Sequence, residues 1–230
     1  MLFRDEDEDL EVLPFADRSE AGRVLASKLS AYAGRDDVIV LGLPRGGVPV
    51  AWEVASTLHV PLDLLVVSKL GTPLNRELAM GAVAESGVQV LDLSIVKALC
   101  VSDRDIQGVV AAARKELECH EESYRGGRPP LELTGKTVIV VDDGIATGCS
   151  MLAAIATIRR RNARRVVVAV PVAPASGCSA IRMEADELVS VAEPEMFLAV
   201  SQWYEDFPQI SDEDVQRLLE SAAGSLSHAA

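Results

Sequence analysis

The sequence predicts a doubly wound α/β domain: a mainly parallel sheet flanked by helices, with a small hood built from the ends of the chain. Three observations lead there. Short apolar runs rich in β-branched residues recur at 37–42, 62–67, 137–141 and 165–170, the composition of strands covered on both faces. Helical stretches alternate with them, the rhythm of parallel strands joined by crossover helices. Four of the nine aromatic residues (Phe197, Trp203, Tyr204 and Phe207) crowd into 197–207, beyond the last of these strands.

In chain order, Ser19 is placed to cap a helix over 22–33, with Val24, Leu25 and Leu29 on one face and Gly34 as its stop. The strand Asp37–Gly42 ends in the turn Leu43-Pro44-Arg45-Gly46-Gly47, and a helix follows over 50–58. Leu62–Val67 reads as one strand, with Lys69 just beyond it. Residues 70–81 read as a loop and 82–91 as a hairpin-like pair. A long helix covers 102–124 and is broken by Arg125-Gly126-Gly127-Arg128-Pro129-Pro130. A strand at 137–141, a helix at 149–161 and a strand at 165–170 repeat the pattern, before a turn at Pro171-Val172-Ala173-Pro174. The expected organisation is an acidic segment at 1–11, one domain over 12–220 whose hood comes from about 190–220, and a polar, alanine-containing tail at 221–230.

With 35 acids against 22 bases in 230 residues the formal net charge is −13, and 49% of residues are hydrophobic. This is the composition of a folded chain rather than a disordered one. The charge is concentrated: residues 1–11 and 201–220 each carry −5, whereas 12–200 hold 23 acids and 20 bases. Bulk acidity argues against nucleic acid as a partner, because phosphate neutralisation needs clustered Lys and Arg. No run of about 18 apolar residues suggests a membrane span, and the start of the chain has no signal-peptide pattern, so a cytoplasmic location is expected. Cys100, Cys119, Cys149 and Cys178 form no CxxC pair, and His59, His120 and His228 form no cluster. Free thiols and no protein-held transition metal follow.

The most informative segment is Val138-Ile139-Val140-Val141-Asp142-Asp143-Gly144-Ile145-Ala146-Thr147-Gly148-Cys149-Ser150. A buried strand ends in two carboxylates, then a glycine-containing turn with hydroxyls opens a helix, whose first N–H groups form an anion site. Two acids beside such a cradle suit hydroxyl groups or magnesium on the same ligand rather than the phosphate itself. The Walker loop and the dinucleotide fingerprint are both absent.

This segment closely resembles the signature of type I phosphoribosyltransferases: four apolar residues, two acids and a loop ending T-G-x-[ST]. From GLPRGGVPVA through SKLGTPLNRELAMGAVAE to QWYEDF, the chain looks like the "predicted phosphoribosyltransferase" branch of that family. The resemblance implies a ligand, 5-phosphoribosyl-1-pyrophosphate (PRPP). Asp142 and Asp143 would hold the ribose hydroxyls. Gly144, Ile145, Ala146, Thr147, Gly148, Cys149 and Ser150 would hold the 5′-phosphate. Arg45 with Gly46 and Gly47 would meet the pyrophosphate, joined by Lys69. The loop 70–81, with Arg76 and Glu77, would close over the site. Magnesium would be held mainly through PRPP, near Asp142 and Asp143.

The implied reaction is transfer of the phosphoribosyl group to a nitrogenous base. An acceptor pocket is expected at Val172, Trp203 and Tyr204, and a homodimer is common in the family. One departure stands out: where hypoxanthine and guanine enzymes carry an Asp before the Thr-Gly, this chain has Ala146, which counts against a 6-oxopurine acceptor. A PRPP-binding sensor of the same fold is the alternative; Arg45, Lys69 and Arg76 favour the enzyme. The bases Arg159, Arg160, Arg161, Arg164 and Arg165 sit at the far end of the helix opened by Cys149, where they suit its C-terminal dipole, with an oligomer contact or an anionic partner as the other readings.

Overall fold

The computed structural model describes residues 13–76 and 78–227. The acidic segment 1–11, Glu77 and His228 lie outside the described residues.

Five parallel strands form the central sheet: β1 (Val38–Gly42), β2 (Leu62–Leu64), β6 (Thr137–Val141), β7 (Arg165–Val172) and β8 (Glu187–Ala192), in the order β2-β1-β6-β7-β8. Alternate residues of each strand face opposite sides. Val38, Val40, Ile139, Val141, Val167 and Ala169 enter one core with α1 (Arg18–Lys28), α2 (Gly47–Leu58) and α7 (Asp212–Ser227). Ile39, Leu41, Val138, Val140, Val166 and Val168 enter the other, against α5 (Cys149–Arg160) and α6 (Cys178–Glu184). Burial on both faces explains the unbroken apolar runs.

A second, antiparallel sheet has the order β3-β4-β5, with β3 at Val67–Gly71, β4 at Ala79–Ala84 and β5 at Gln89–Leu91. The short helix α3 (Leu93–Ala98) follows, and α4 (Asp103–Arg125) then lays Ile106, Val110, Ala113 and Leu117 against the core.

Several boundaries differ from the sequence expectation for identifiable reasons. The run 62–67 is not one strand. The chain pairs with β1 only through Leu64, makes one further bond from Leu65 N to Gly42 O, and then turns into the second sheet. An apolar run cannot signal that bend, because both halves are buried. The expected loop 70–81 is shorter at both ends, because β3 takes in 70–71 and β4 takes in 79–81, leaving 72–78 as the tip between them. Helix α1 begins at Arg18, four residues early, because Asp17 and not Ser19 caps it, accepting from Glu20 N. β7 continues through Pro171 to Val172 rather than turning at 171. The expected tail is helical through Ser227.

Four of the five bases in the basic cluster are paired with acids. Arg159 pairs with Asp186 at 2.8 Å, Arg161 with Glu85 at 3.2 Å, Arg165 with Glu187 at 2.8 Å, and Arg164 with Asp37. It ties helices to strands at the edge of the sheet opposite the site. Among the described residues, no helix is long and apolar enough to cross a membrane.

Candidate functional site

A cleft of about 510 Å³ lies across the C-terminal ends of β1 and β6, where open parallel sheets present their loops to ligands. One wall is the turn after β1, with Leu43, Pro44, Arg45 and Gly46. Its Pro44–Arg45 peptide bond is cis. The floor is Asp142 and Asp143, and the opposite wall is the 144–148 loop with Ser150 and Met151 from α5. Lys69 enters from β3, and Phe207, Pro208, Gln209 and Ile210 roof the remaining side.

The carboxylates are tightly enclosed. Asp142 Oδ1 accepts from the Asp143 N–H at 2.9 Å. Burial and the neighbouring Asp143 charge push the Asp142 carboxyl well above the usual carboxylate range, against the opposing pull of Lys69 and Arg18. Burial raises Asp143 as well, while Arg18 and then Lys69 draw it back. Glycines make this packing feasible: a Cβ on Gly46 would stand 2.0 Å from Asp143 Oδ2, and one on Gly47 would stand 2.8 Å from Asp142 Cα.

The signature loop runs into α5 with its amides left unpaired among the described residues, with one exception. Gly148 adopts φ +79° and opens α5, so the loop turns sharply into the helix. The backbone N–H groups of 146–151 have no acceptor among the described residues, and Ala146 and Thr147 are exposed to the cleft. Ile145 is the exception: its N–H donates to Val172 O at 2.9 Å and is unavailable to a ligand. The Gly47 N–H is likewise committed, to Leu43 O at 3.0 Å. Gly47 therefore serves close packing rather than donating to an anion. Cys149 is buried, and burial raises its thiol pKa despite the helix start.

Arg45 lines the cleft with its side chain 41% exposed, and its Nη1 lies 3.6 Å from Asp212 Oδ1 at the start of α7. Asp212 also accepts from the Tyr124 hydroxyl at 2.7 Å. Arg76, on the hairpin tip, is exposed and does not line the cleft.

The three residues expected to hold an acceptor are not in the lining. Val172 is fully buried behind Gly144, and Val200 presses on the same glycine: a Gly144 Cβ would meet Val200 at 2.6 Å and Val172 at 3.1 Å. Trp203 stacks on Phe197 at 6.2 Å, away from the cleft. Tyr204 is buried between Phe15 and Phe207, and its hydroxyl donates to the Asp143 carbonyl at 2.5 Å. It supports the acidic pair from behind. The roof aromatic is Phe207.

Sequence reasoning missed Arg18. As the first residue of α1 it is buried, yet it lines the cleft. Its Nε donates to Asp143 Oδ2 at 2.8 Å, its Nη1 donates to Pro208 O at 2.8 Å, and its guanidinium carbon sits 3.7 Å from the Phe207 ring centre. The signal available was the same α1 boundary that the Asp17 cap defines.

Among the described residues, no group of three His, Cys, Asp or Glu side chains could hold a metal ion. The acidic pair supplies the carboxylates of the cleft lining, and Asp143 is already engaged by Arg18. Such a site fits magnesium, which keeps waters and takes one or two carboxylates together with substrate phosphates.

Comparison with known proteins identifies the family. The family model for the phosphoribosyl transferase domain matches residues 16–207. Two Mycobacterium tuberculosis proteins, named "Putative phosphoribosyl transferase" in strains CDC 1551 and H37Rv, are each 45% identical over 208 residues, which are 90% of this chain and 47% of theirs. The chain thus spans about half the length of these curated relatives. The crystal structure of TT1426 from Thermus thermophilus superposes with a TM-score of 0.74 at 42% identity, over 90% of this chain and 98% of that one. With the family model matched over residues 16–207 and relatives 45% identical over 90% of its length, this chain belongs to the phosphoribosyl transferase family.

Proposed function

We propose that the protein transfers the 5-phosphoribosyl group of PRPP to a nitrogenous base, releasing pyrophosphate. The observation that carries this reading is the juxtaposition of the free N–H groups of 146–151 with the Asp142–Asp143 pair in one cleft. An anion cradle and a hydroxyl-binding acid pair side by side match a ligand that is both phosphorylated and polyhydroxylated.

The 5′-phosphate would rest on the amides of 146–150 with the hydroxyls of Thr147 and Ser150. The ribose hydroxyls would donate to Asp142 and Asp143. Arg45 and Lys69 would neutralise the pyrophosphate as its charge develops in the transition state. Bound magnesium, reached through Asp142 and Asp143 and the ligand's own oxygens, would supply further charge neutralisation to the departing pyrophosphate. Arg76 and Glu77, on the 72–78 tip, would approach the ligand by closure of that tip, which excludes water from a cationic sugar. At the acceptor end Ala146 provides no proton acceptor.

The test is PRPP binding with magnesium, followed by pyrophosphate release with a panel of bases. Wild-type protein should bind and release, and Asp142→Asn with Asp143→Asn should abolish release. Undiminished turnover in the double variant refutes the assignment. Binding without release for any base identifies a sensor instead.

A further inference from the structure

We infer that Arg18 is a substrate-contacting specificity residue that selects an acceptor bearing a carboxylate; this rests on the phosphoribosyl-transfer reading above.

The Arg18 side chain is only 8% exposed, and three contacts fix its plane: Asp143 Oδ2, Pro208 O and the Phe207 ring. None of them uses Nη2, which has no hydrogen-bond acceptor among the described residues. Arg18 nevertheless lines the cleft. A guanidinium nitrogen only donates and never loses its proton at accessible pH. In the open cleft water meets this donor, and a ligand that displaces the water must supply an acceptor of its own or leave the donor unpaired.

Position decides which part of the ligand that is. The phosphate end of the cleft has its own donors at 146–151, and the turn after β1 has Arg45, with Lys69 alongside. Arg18 instead stands among Phe207, Pro208, Gln209 and Ile210, on the roof side. With phosphate and pyrophosphate at the first two places, the acceptor base occupies the third. A base without an anionic oxygen there leaves Nη2 desolvated and unpaired, whereas a carboxylate takes it in a charge-assisted bond.

The chemistry at the reacting nitrogen is compatible. Its lone pair forms the N–C1′ bond while the C1′–O bond breaks, and pyrophosphate leaves with that electron pair. A pyridine-type nitrogen does this without releasing a proton. An arylamine or ring N–H releases one to solvent or to the departing pyrophosphate, since Ala146 cannot take it.

Matched acceptors test the inference: nicotinate against pyridine, anthranilate against aniline, and orotate against uracil, each assayed for PRPP-dependent pyrophosphate release. In at least one pair the carboxylated member should exceed its partner in kcat/KM by about 10- to 100-fold, the scale of a hydrogen bond to a charged group. Arg18→Met should bring that ratio to within about threefold of unity. Arg18→Lys, which keeps the charge and loses the fork, should fall between them and carries the test if the methionine variant does not fold by circular dichroism.

The ratio separates recognition from support. Were Arg18 merely holding Asp143 in place, both members of a pair would slow equally. Equal slowing, a wild-type ratio near unity in all three pairs, or no release from any of the six compounds by a protein that binds PRPP overturns the inference. Failure of the wild-type protein to bind PRPP at all strikes the transfer reading itself, and the binding measurement tells the two failures apart.

Discussion

Gly46 and Asp143 occupy one volume: a Cβ on the glycine would stand 2.0 Å from Asp143 Oδ2 and 2.7 Å from its Cγ. The same oxygen accepts from Arg18 Nε at 2.8 Å. The carboxylate is thus held between a backbone with no side chain and a buried guanidinium, and cannot retreat from either.

Gly46→Ala should therefore displace the Asp143 carboxylate. The added methyl has no space without moving a paired charge, so a loss of about 2–4 kcal/mol in unfolding free energy is expected from overpacking and a disturbed buried pair. PRPP affinity should fall in parallel. Urea denaturation and calorimetric titration measure the two, and an alanine variant with unchanged affinity contradicts the packing argument.

Asp142 makes a prediction about pH. Its folded-state pKa is raised by burial and by Asp143, so ionising it costs more in the folded protein than in the unfolded one. That cost is absent below the unfolded pKa of about 3.9, grows as pH rises towards the folded pKa, and is constant above it. Asp142→Asn, whose amide oxygen can still accept from the Asp143 N–H, should be more stable than wild type at pH 7.5 without magnesium. The gain should shrink as pH falls towards 4, in paired denaturant titrations.

Arg125 anchors the other buried ion cluster. Its side chain is 6% exposed; Nη1 meets Asp63 at 2.8 and 2.9 Å, and Nη2 donates to Leu64 O at 2.9 Å and lies 3.6 Å from Glu85. Burial raises the Glu85 carboxyl against the pull of Arg125 and Arg161. Arg125→Met leaves two enclosed carboxylates without their main counter-charge and should cost about 3–5 kcal/mol. The cluster lies where β2 gives way to β3, so the loss should appear in equilibrium unfolding rather than as a selective loss of ligand binding.

The thiols divide by burial. Cys100 and Cys119 are exposed, Cys149 and Cys178 are buried, and burial raises the pKa of both buried thiols. Iodoacetamide at pH 7.5 should label the first two in the native protein and all four after denaturation, read by peptide mass spectrometry. Rapid native labelling of Cys149 contradicts the assignment of that thiol as inert.

What the sequence reveals and conceals follows contact distance. The β6–loop–α5 unit is legible because its information is local: apolar run, two acids, glycine and cap lie within thirteen neighbours. Arg18 is illegible because its partner Asp143 is 125 positions away and nothing around it marks a site. The Ile145 amide misleads for a related reason, since its acceptor, Val172 O, belongs to a different strand, whereas the Gly47 amide is taken locally by Leu43 O in the turn before α2. The aromatic crowding at 197–207 contributes one ring, Phe207, to the cleft lining. It cannot say that Trp203 and Tyr204 turn inward while Phe207 faces the cleft, because aromatic composition does not encode side-chain direction.

The two strands of contact that close the roof have a consequence for biosynthesis. Phe15 N donates to Trp203 O, Glu205 N to Phe15 O and Asp206 N to Ala16 O, with Arg18 reaching Pro208 across 190 residues. A nascent chain still tethered before residue 208 has left the ribosome can assemble much of its sheet. It cannot seat Arg18, and so emerges with an open roof. The cleft shuts around the acid pair only after residues 203–208 have emerged, so a chain cut near residue 200 should lack a finished ligand site.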